Sequence, residues 1–188
     1  MGFAIAEAAA QFGAEVTLVA GPVELTTKHP SIRRIDVVSA EDMYEAMHKE
    51  FPNAHIVIKS AAVADYRPKV TYEQKMKKSE DDLHIEFERT KDILKTLGEK
   101  KENQFLVGFA AETNHPLEYG KKKLIEKNLD AIVINSVLEE GAGFGVDTNI
   151  VTYMNKEQKQ VNLPLASKRE IAEQILQLVI QDMKDDEN

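Results

Sequence analysis

The sequence predicts an α/β domain, a Rossmann-like, doubly wound and mostly parallel sheet with helices on both faces. Two observations predict it. Short β-branched runs alternate with longer amphipathic stretches along most of the chain, as when strands are joined by helical crossovers. Parallel strands need such crossovers, so alternation and parallel pairing go together. The 188 residues suffice for one core of this kind and are short for two, so 1–188 is read as a single domain.

The elements follow in order. Residues 3–12 are alanine-rich with an apolar stripe, and Gly13 stands where a glycine ends a helix. Residues 14–20 form a β-branched run closed by Gly21-Pro22, a buried strand with a turn behind it. A second strand is read at 32–38. Ser39 then caps a helix running to Phe51, with Glu41 and Asp42 in the first turn, where the dipole favours acids. A third strand, 54–60, runs straight into Ala61-Ala62.

From 64 to 90 the chain becomes polar and lysine-rich, ending in the strict alternation Leu83-His84-Ile85-Glu86-Phe87-Glu88-Arg89. Such alternation marks a strand with one wet face and predicts a flap or arm over about 66–90. Regular order resumes with a helix at 92–100, a strand at 105–110, a helix at 116–127 and a strand at 131–135. Residues 150–154 and 159–163 read as an antiparallel pair across Asn155-Lys156, and a helix over 167–183 gives way to an acidic tail. The start departs from the doubly wound pattern: a helix comes first, without the strand and glycine-rich turn that ordinarily feed it and hold phosphate. The first strand is therefore expected to be missing from this chain.

Composition bounds the partners. Hydrophobic residues at 43% and charged residues at 30% suit a folded globular domain rather than a disordered chain. No apolar run approaches the roughly 20 residues that cross a bilayer, so no membrane partner is expected. With no cysteine there is no disulfide, thiolate nucleophile or sulfur-ligated metal, and the cytoplasm is the simplest address. Met1-Gly2 leads into an amphipathic stretch with no signal-peptide pattern. A net charge of −8 opposes nucleic acid, whereas a small anion needs only a few local lysines.

The sharpest local signal is Lys59-Ser60-Ala61-Ala62-Val63-Ala64-Asp65-Tyr66, where a buried strand ends in small residues and then offers a carboxylate. Sheets of this class bind ligands at that end, and small side chains admit a ligand to the backbone. A tight turn with a solvated Asp65 is the other reading. Lys75-Met76-Lys77-Lys78 gathers three cations on the flap, suited to charge developing on a pyrophosphate leaving group, or simply to a wet surface. Lys123 and Lys127 share a helix face four residues apart, beside a strand ending in Gly108-Phe109-Ala110-Ala111-Glu112-Thr113. Thr90-Lys91-Asp92-Ile93-Leu94 opens a helix, with Thr90 as the cap and free N–H groups able to meet a base edge or an anion. The five histidines lack metal-ligand spacing, and no GxSxG, Walker A or complete GxGxxG occurs.

Taken in order with Lys127-Asn128-Leu129-Asp130, these motifs closely resemble bacterial phosphopantothenoylcysteine synthetase, usually the C-terminal half of a bifunctional protein with a flavin-dependent decarboxylase. The resemblance implies a Rossmann-like ligase that uses CTP and Mg²⁺ or Mn²⁺ to join 4′-phosphopantothenate to L-cysteine through an acyl-cytidylate. It implies no flavin in this domain, a homodimer, and fusion to or association with the decarboxylase. Residue by residue, it implies nucleotide contacts at Ala61, Asp65, Lys75, Lys91, Asp92, Ile93, Leu94, Phe109, Lys123 and Lys127, with Lys75 catalytic. Ala61 and Ala62 fall where the intermediate lies, and Asp65 is the candidate metal ligand. Of the family's SNxSSGKMG-like loop only Met1-Gly2 has a counterpart. Its asparagine, tied to cysteine-dependent turnover, has none. The alternative is thus an inactive, truncated nucleotide-binding or assembly domain. A nicotinamide oxidoreductase lacks its fingerprint, and fold alone does not supply one.

Overall fold

The computed structural model describes residues 1–72, 74–75, 83–111, 114–135 and 146–186. In chain order the elements are α1 (Gly2–Gln11), β1 (Val16–Ala20), β2 (Ile32–Asp36), α2 (Ala40–Glu50), β3 (Ile56–Lys59), β4 (Tyr66–Pro68), β5 (Phe87–Arg89), α3 (Ile93–Lys100), β6 (Phe105–Ala111), α4 (Pro116–Glu126), β7 (Ala131–Asn135), β8 (Thr148–Asn155), β9 (Gln160–Ser167) and α5 (Lys168–Asp186). The central sheet has the order β3-β6-β7-β8-β9. Its β3-β6 and β6-β7 pairs are parallel, and the β7-β8 and β8-β9 pairs antiparallel. β1 and β2 form a separate parallel pair, and β4 and β5 an antiparallel arm.

Strand alternation sorts the core into two layers. On one face Leu106, Ala110, Ile132 and Ile134 meet Ile93, Leu94 and Leu97 of α3, Leu124 of α4 and Met43 of α2. On the other, Phe105, Val107, Ala131 and Val133 meet Ile171, Ile175 and Val179 of α5, and α1 packs Ile5 and Ala8 onto Ala172 and Leu176. Helices cover both faces, so the fold is doubly wound as predicted. Gly108 lets the first layer close tightly, because a Cβ there would lie 2.8 Å from both Leu129 Cδ1 and Leu94 Cδ2. Asp130 ties the layers' ends together. Its carboxylate accepts from Lys101 Nζ at 2.9 and 3.0 Å and from the Leu106 N–H at 2.8 Å, with both charged side chains largely buried.

Local chemistry explains most boundaries. Gly13, at φ +91°, follows α1 in the left-handed region that favours glycine. Ser39 and Asp42 form a full capping box on α2. Four expectations change. The cap of α3 is Asp92, whose side chain accepts from the Lys95 N–H, while the Thr90 hydroxyl donates to the Ala64 carbonyl instead. The arm's second strand is only Phe87–Arg89, because the short β4 offers just three partners. β9 continues past Pro164, which an edge strand tolerates since no neighbour needs its missing N–H. Finally α5 runs through Asp186, its acids held by Tyr153, Gln181 and Lys156 rather than released as a tail. Among the described residues no helix is long and apolar enough to cross a membrane.

Candidate functional site

A cavity of about 440 Å³ opens across the carboxyl ends of β3, β6 and β7, where doubly wound sheets bind ligands. β3 ends in Lys59 and delivers Ser60, Ala61, Ala62 and Asp65 to its rim; β6 contributes Phe109, Ala110 and Ala111. The first turn of α3 adds Lys91, Asp92, Ile93 and Leu94, and α4 adds Lys123 and Lys127. Ten of the eleven site positions predicted from sequence line this cavity: Ala61, Ala62, Asp65, Lys91, Asp92, Ile93, Leu94, Phe109, Lys123 and Lys127.

Polar bonds fix this wall. Lys127 Nζ lies 2.8 Å from Asp92 Oδ2, joining the start of α3 to the end of α4. Burial alone would raise the Asp92 pKa. Bonds from Lys127 and the Lys95 N–H, with the charges of Lys127 and Lys59, outweigh it and hold the carboxyl below its usual range. Lys59 Nζ donates to the Ala61 carbonyl at 3.0 Å. Burial pushes that ammonium's pKa down and the Lys127 charge adds to the effect, against the opposing pull of Asp92 and Asp65. Thr90 pins the opposite rim, its N–H on the Asp65 carbonyl at 2.9 Å and its hydroxyl on the Ala64 carbonyl at 2.6 Å. Lys91 pairs with Glu41 and sits 4.4 Å from the centre of the Tyr44 ring.

Some expectations fare differently. Ile93 and Leu94 are buried core residues that reach the cavity at the first turn of α3, where a helix leaves backbone N–H groups without intrahelical partners. Lys75 is exposed and is not among the lining residues. Met76, Lys77, Lys78, Glu112 and Thr113 lie outside the described residues. Among the described residues no cluster of three or more histidine and acidic side chains stands ready to hold a metal.

Lys59, Asn135, Asn149 and Lys168 also line the cavity; the motif at the tip of β3 opens on Lys59, but the sequence assigned no role to it or to the other three. Asn135 closes the wholly apolar run Ala131-Ile132-Val133-Ile134, and a polar residue ending such a strand was the available signal. It is buried, and its Oδ1 has no hydrogen-bond partner. Asn149 is equally hidden, its Oδ1 accepting from the Ile150 N–H at 3.0 Å. Lys59 is the one charge in an otherwise β-branched strand, placed immediately before the small residues.

A doubly wound α/β domain with a lysine-lined cavity at the carboxyl edge of its sheet is the class these features define. The chain belongs to the family described as the DNA/pantothenate metabolism flavoprotein C-terminal domain, whose model matches residues 1–183. It is 51% identical over 177 residues to the Coenzyme A biosynthesis bifunctional protein CoaBC of Bacillus subtilis strain 168, covering 94% of this chain and 44% of that protein. A Cysteine/Cysteine sulfinic acid decarboxylase from an unknown prokaryotic organism is 44% identical over 181 residues, covering 96% of this chain and 50% of that one. The crystal structure of the C-terminal domain of Coenzyme A biosynthesis bifunctional protein CoaBC matches with a TM-score of 0.81 at 44% identity, over 100% of this chain and 83% of that one. The chain thus spans about half the length of the curated relatives it matches. The resemblance read from the motifs is borne out at the level of family.

Proposed function

We propose that the cavity binds CTP and that the protein serves coenzyme A biosynthesis by ligating 4′-phosphopantothenate to L-cysteine. One observation carries the reading: Asp65, Asp92, Phe109, Lys123 and Lys127, distant in sequence and borne by separate parts of the fold, line one cavity at the sheet's carboxyl edge. The relatives named for coenzyme A biosynthesis support the pathway.

In the proposed reaction a substrate carboxylate oxygen attacks the α-phosphorus of CTP, the bond to the β-phosphate breaks and pyrophosphate leaves. The cysteine amine then attacks the acyl carbon, CMP departs as leaving group, and the amine loses a proton. A free carboxylate is a poor electrophile, so the domain's work is positioning and charge stabilisation. The ammonium groups of Lys123 and Lys127 stand to offset phosphate charge. Ala61 and Ala62, without bulk, leave room for the acyl-cytidylate at the edge. Lys75 acts once the arm brings it over the cavity, a closure that also keeps water from the activated acid.

Mg²⁺ fits this donor set in one way. Asp92 is bonded to Lys127, which leaves Asp65 as the carboxylate for a hard cation otherwise held by phosphate oxygens and water. The ion would supply charge neutralisation on the triphosphate. We further propose a homodimer, joined to or working with a flavin-dependent decarboxylase, and a cytoplasmic location. The test is pyrophosphate release by the full-length protein. Release requiring both CTP and 4′-phosphopantothenate, and suppressed in Lys75→Gln, is the expected result; release without the acid, or unchanged in the variant, contradicts the assignment.

A further inference from the structure

Lys59 ends β3 on the face that α3 and α4 cover, since alternation sets it with Val57, a member of that core layer. It lines the cavity within the electrostatic reach of Asp92 and Lys127. Two neighbouring cations are matched by carboxylates, Lys91 by Glu41 and Lys127 by Asp92. Lys59 is not. Its bond to the Ala61 carbonyl goes to a neutral acceptor, and among the described residues no carboxylate oxygen forms an ion pair with it.

A half-buried ammonium whose direct partner is neutral has lost hydration, and the charges of Asp92 and Asp65 offset this only in part. The nearby charge of Lys127 deepens the deficit, and burial acts in the same direction. An anion entering the cavity would remedy it, because a charge-assisted bond to a phosphate oxygen is stronger than one to a carbonyl. The Ala61 carbonyl, held by that same ammonium, belongs to the small-residue turn at the rim, so occupancy by phosphate and the position of the turn are linked.

We infer that Lys59 is a phosphate-binding residue for the nucleotide, its ammonium passing from the Ala61 carbonyl to the polyphosphate chain. The inference rests on the nucleotide reading above and deepens it by adding a cation from the strand tip itself. The geometry places the polyphosphate against β3, between the small-residue turn and α4.

Isothermal titration of the chain with CTP and with cytidine, for wild type, Lys59→Met and Lys59→Gln, tests it. Loss of a charge-assisted bond predicts that both variants bind CTP about tenfold or more weakly, with cytidine binding changed less than about twofold. Glutamine keeps a neutral donor for the Ala61 carbonyl, so it preserves the turn while removing the charge. If Lys59→Gln binds CTP like wild type, or if cytidine and CTP weaken equally, Lys59 only braces the turn and the inference is overturned. Failure of the wild type to bind CTP overturns the nucleotide reading, and this inference with it.

Discussion

Replacing Gly98 by alanine sets two effects of opposite sign against each other. Gly98 lies inside α3, where alanine ordinarily stabilises a helix by about 1 kcal/mol. Its Cβ, however, would overlap the Lys127 carbonyl oxygen and stand 2.9 Å from the carbonyl carbon. Those atoms are backbone at the end of α4, further fixed by the Asn128 side-chain amide on the Gly98 carbonyl at 2.9 Å and by Asn128 itself at φ 51°. Neither side can rotate away, so the two helices must part. Overpacking against backbone costs about 1–3 kcal/mol or more, and here its upper range outweighs the helix gain, leaving a net loss near 2 kcal/mol. With an m-value of about 2 kcal/mol/M that moves the urea midpoint down by about 1 M. Parting α3 from α4 also separates Asp92 from Lys127, so CTP affinity falls with stability. Gly120→Ala is the comparison: its Cβ would meet Cδ1 and Cγ1 of the buried Ile134, side-chain atoms rather than fixed backbone, and the loss is smaller. A Gly98→Ala protein with an unchanged or raised midpoint would refute the packing argument.

Asp130→Ala leaves the buried Lys101 ammonium and the Leu106 N–H without their partner, and about 3–5 kcal/mol of stability goes with it. Asp130→Asn, which still accepts from Leu106, loses less; urea unfolding ranks the two. The Asp92 carboxyl is held below its ordinary pKa, so its contribution is in place above the unfolded value near 4 and is lost as pH falls through the lower folded value. Lys127→Met removes the leading downward influence, and a carbon-detected NMR titration of Asp92 shifts upward; no shift would mean the pair does not persist in solution. Lys75→Gln, on an exposed side chain, changes unfolding free energy by less than about 0.5 kcal/mol while suppressing pyrophosphate release.

Much of the fold was legible because each element carried its own local signal. Ser39 with Asp42, Gly13 behind α1 and the unbroken apolar run of β7 need no tertiary information to be recognised. Where the reading slipped, distant partners decided. The strand read at 159–163 stops short of Pro164, which β9 passes because it is an edge, and the acidic residues after Met183 read as a tail until Lys156 is seen on Asp186. The site divides in the same manner. Lys123 and Lys127 were legible from helical spacing, and Asp65 from its place after the small residues that end a buried strand. Asn135, Asn149 and Lys59 were harder to single out, since a polar residue at a strand end marks a candidate but gains a place only when the sheet order brings β3, β7 and β8 to a common edge. Thr90 was read as the cap of α3, but its hydroxyl donates to the Ala64 carbonyl, beyond local reach, and Asp92 caps the helix instead.

A crystal structure of the chain with CTP and Mg²⁺ tests the central claim most directly. The expected result is phosphates lodged between the tip of β3 and the lysines of α4, with the base beside the opening turn of α3. Nucleotide seated on the β1–β2 pair or on the outer side of the arm, with the cavity left to solvent, would contradict it.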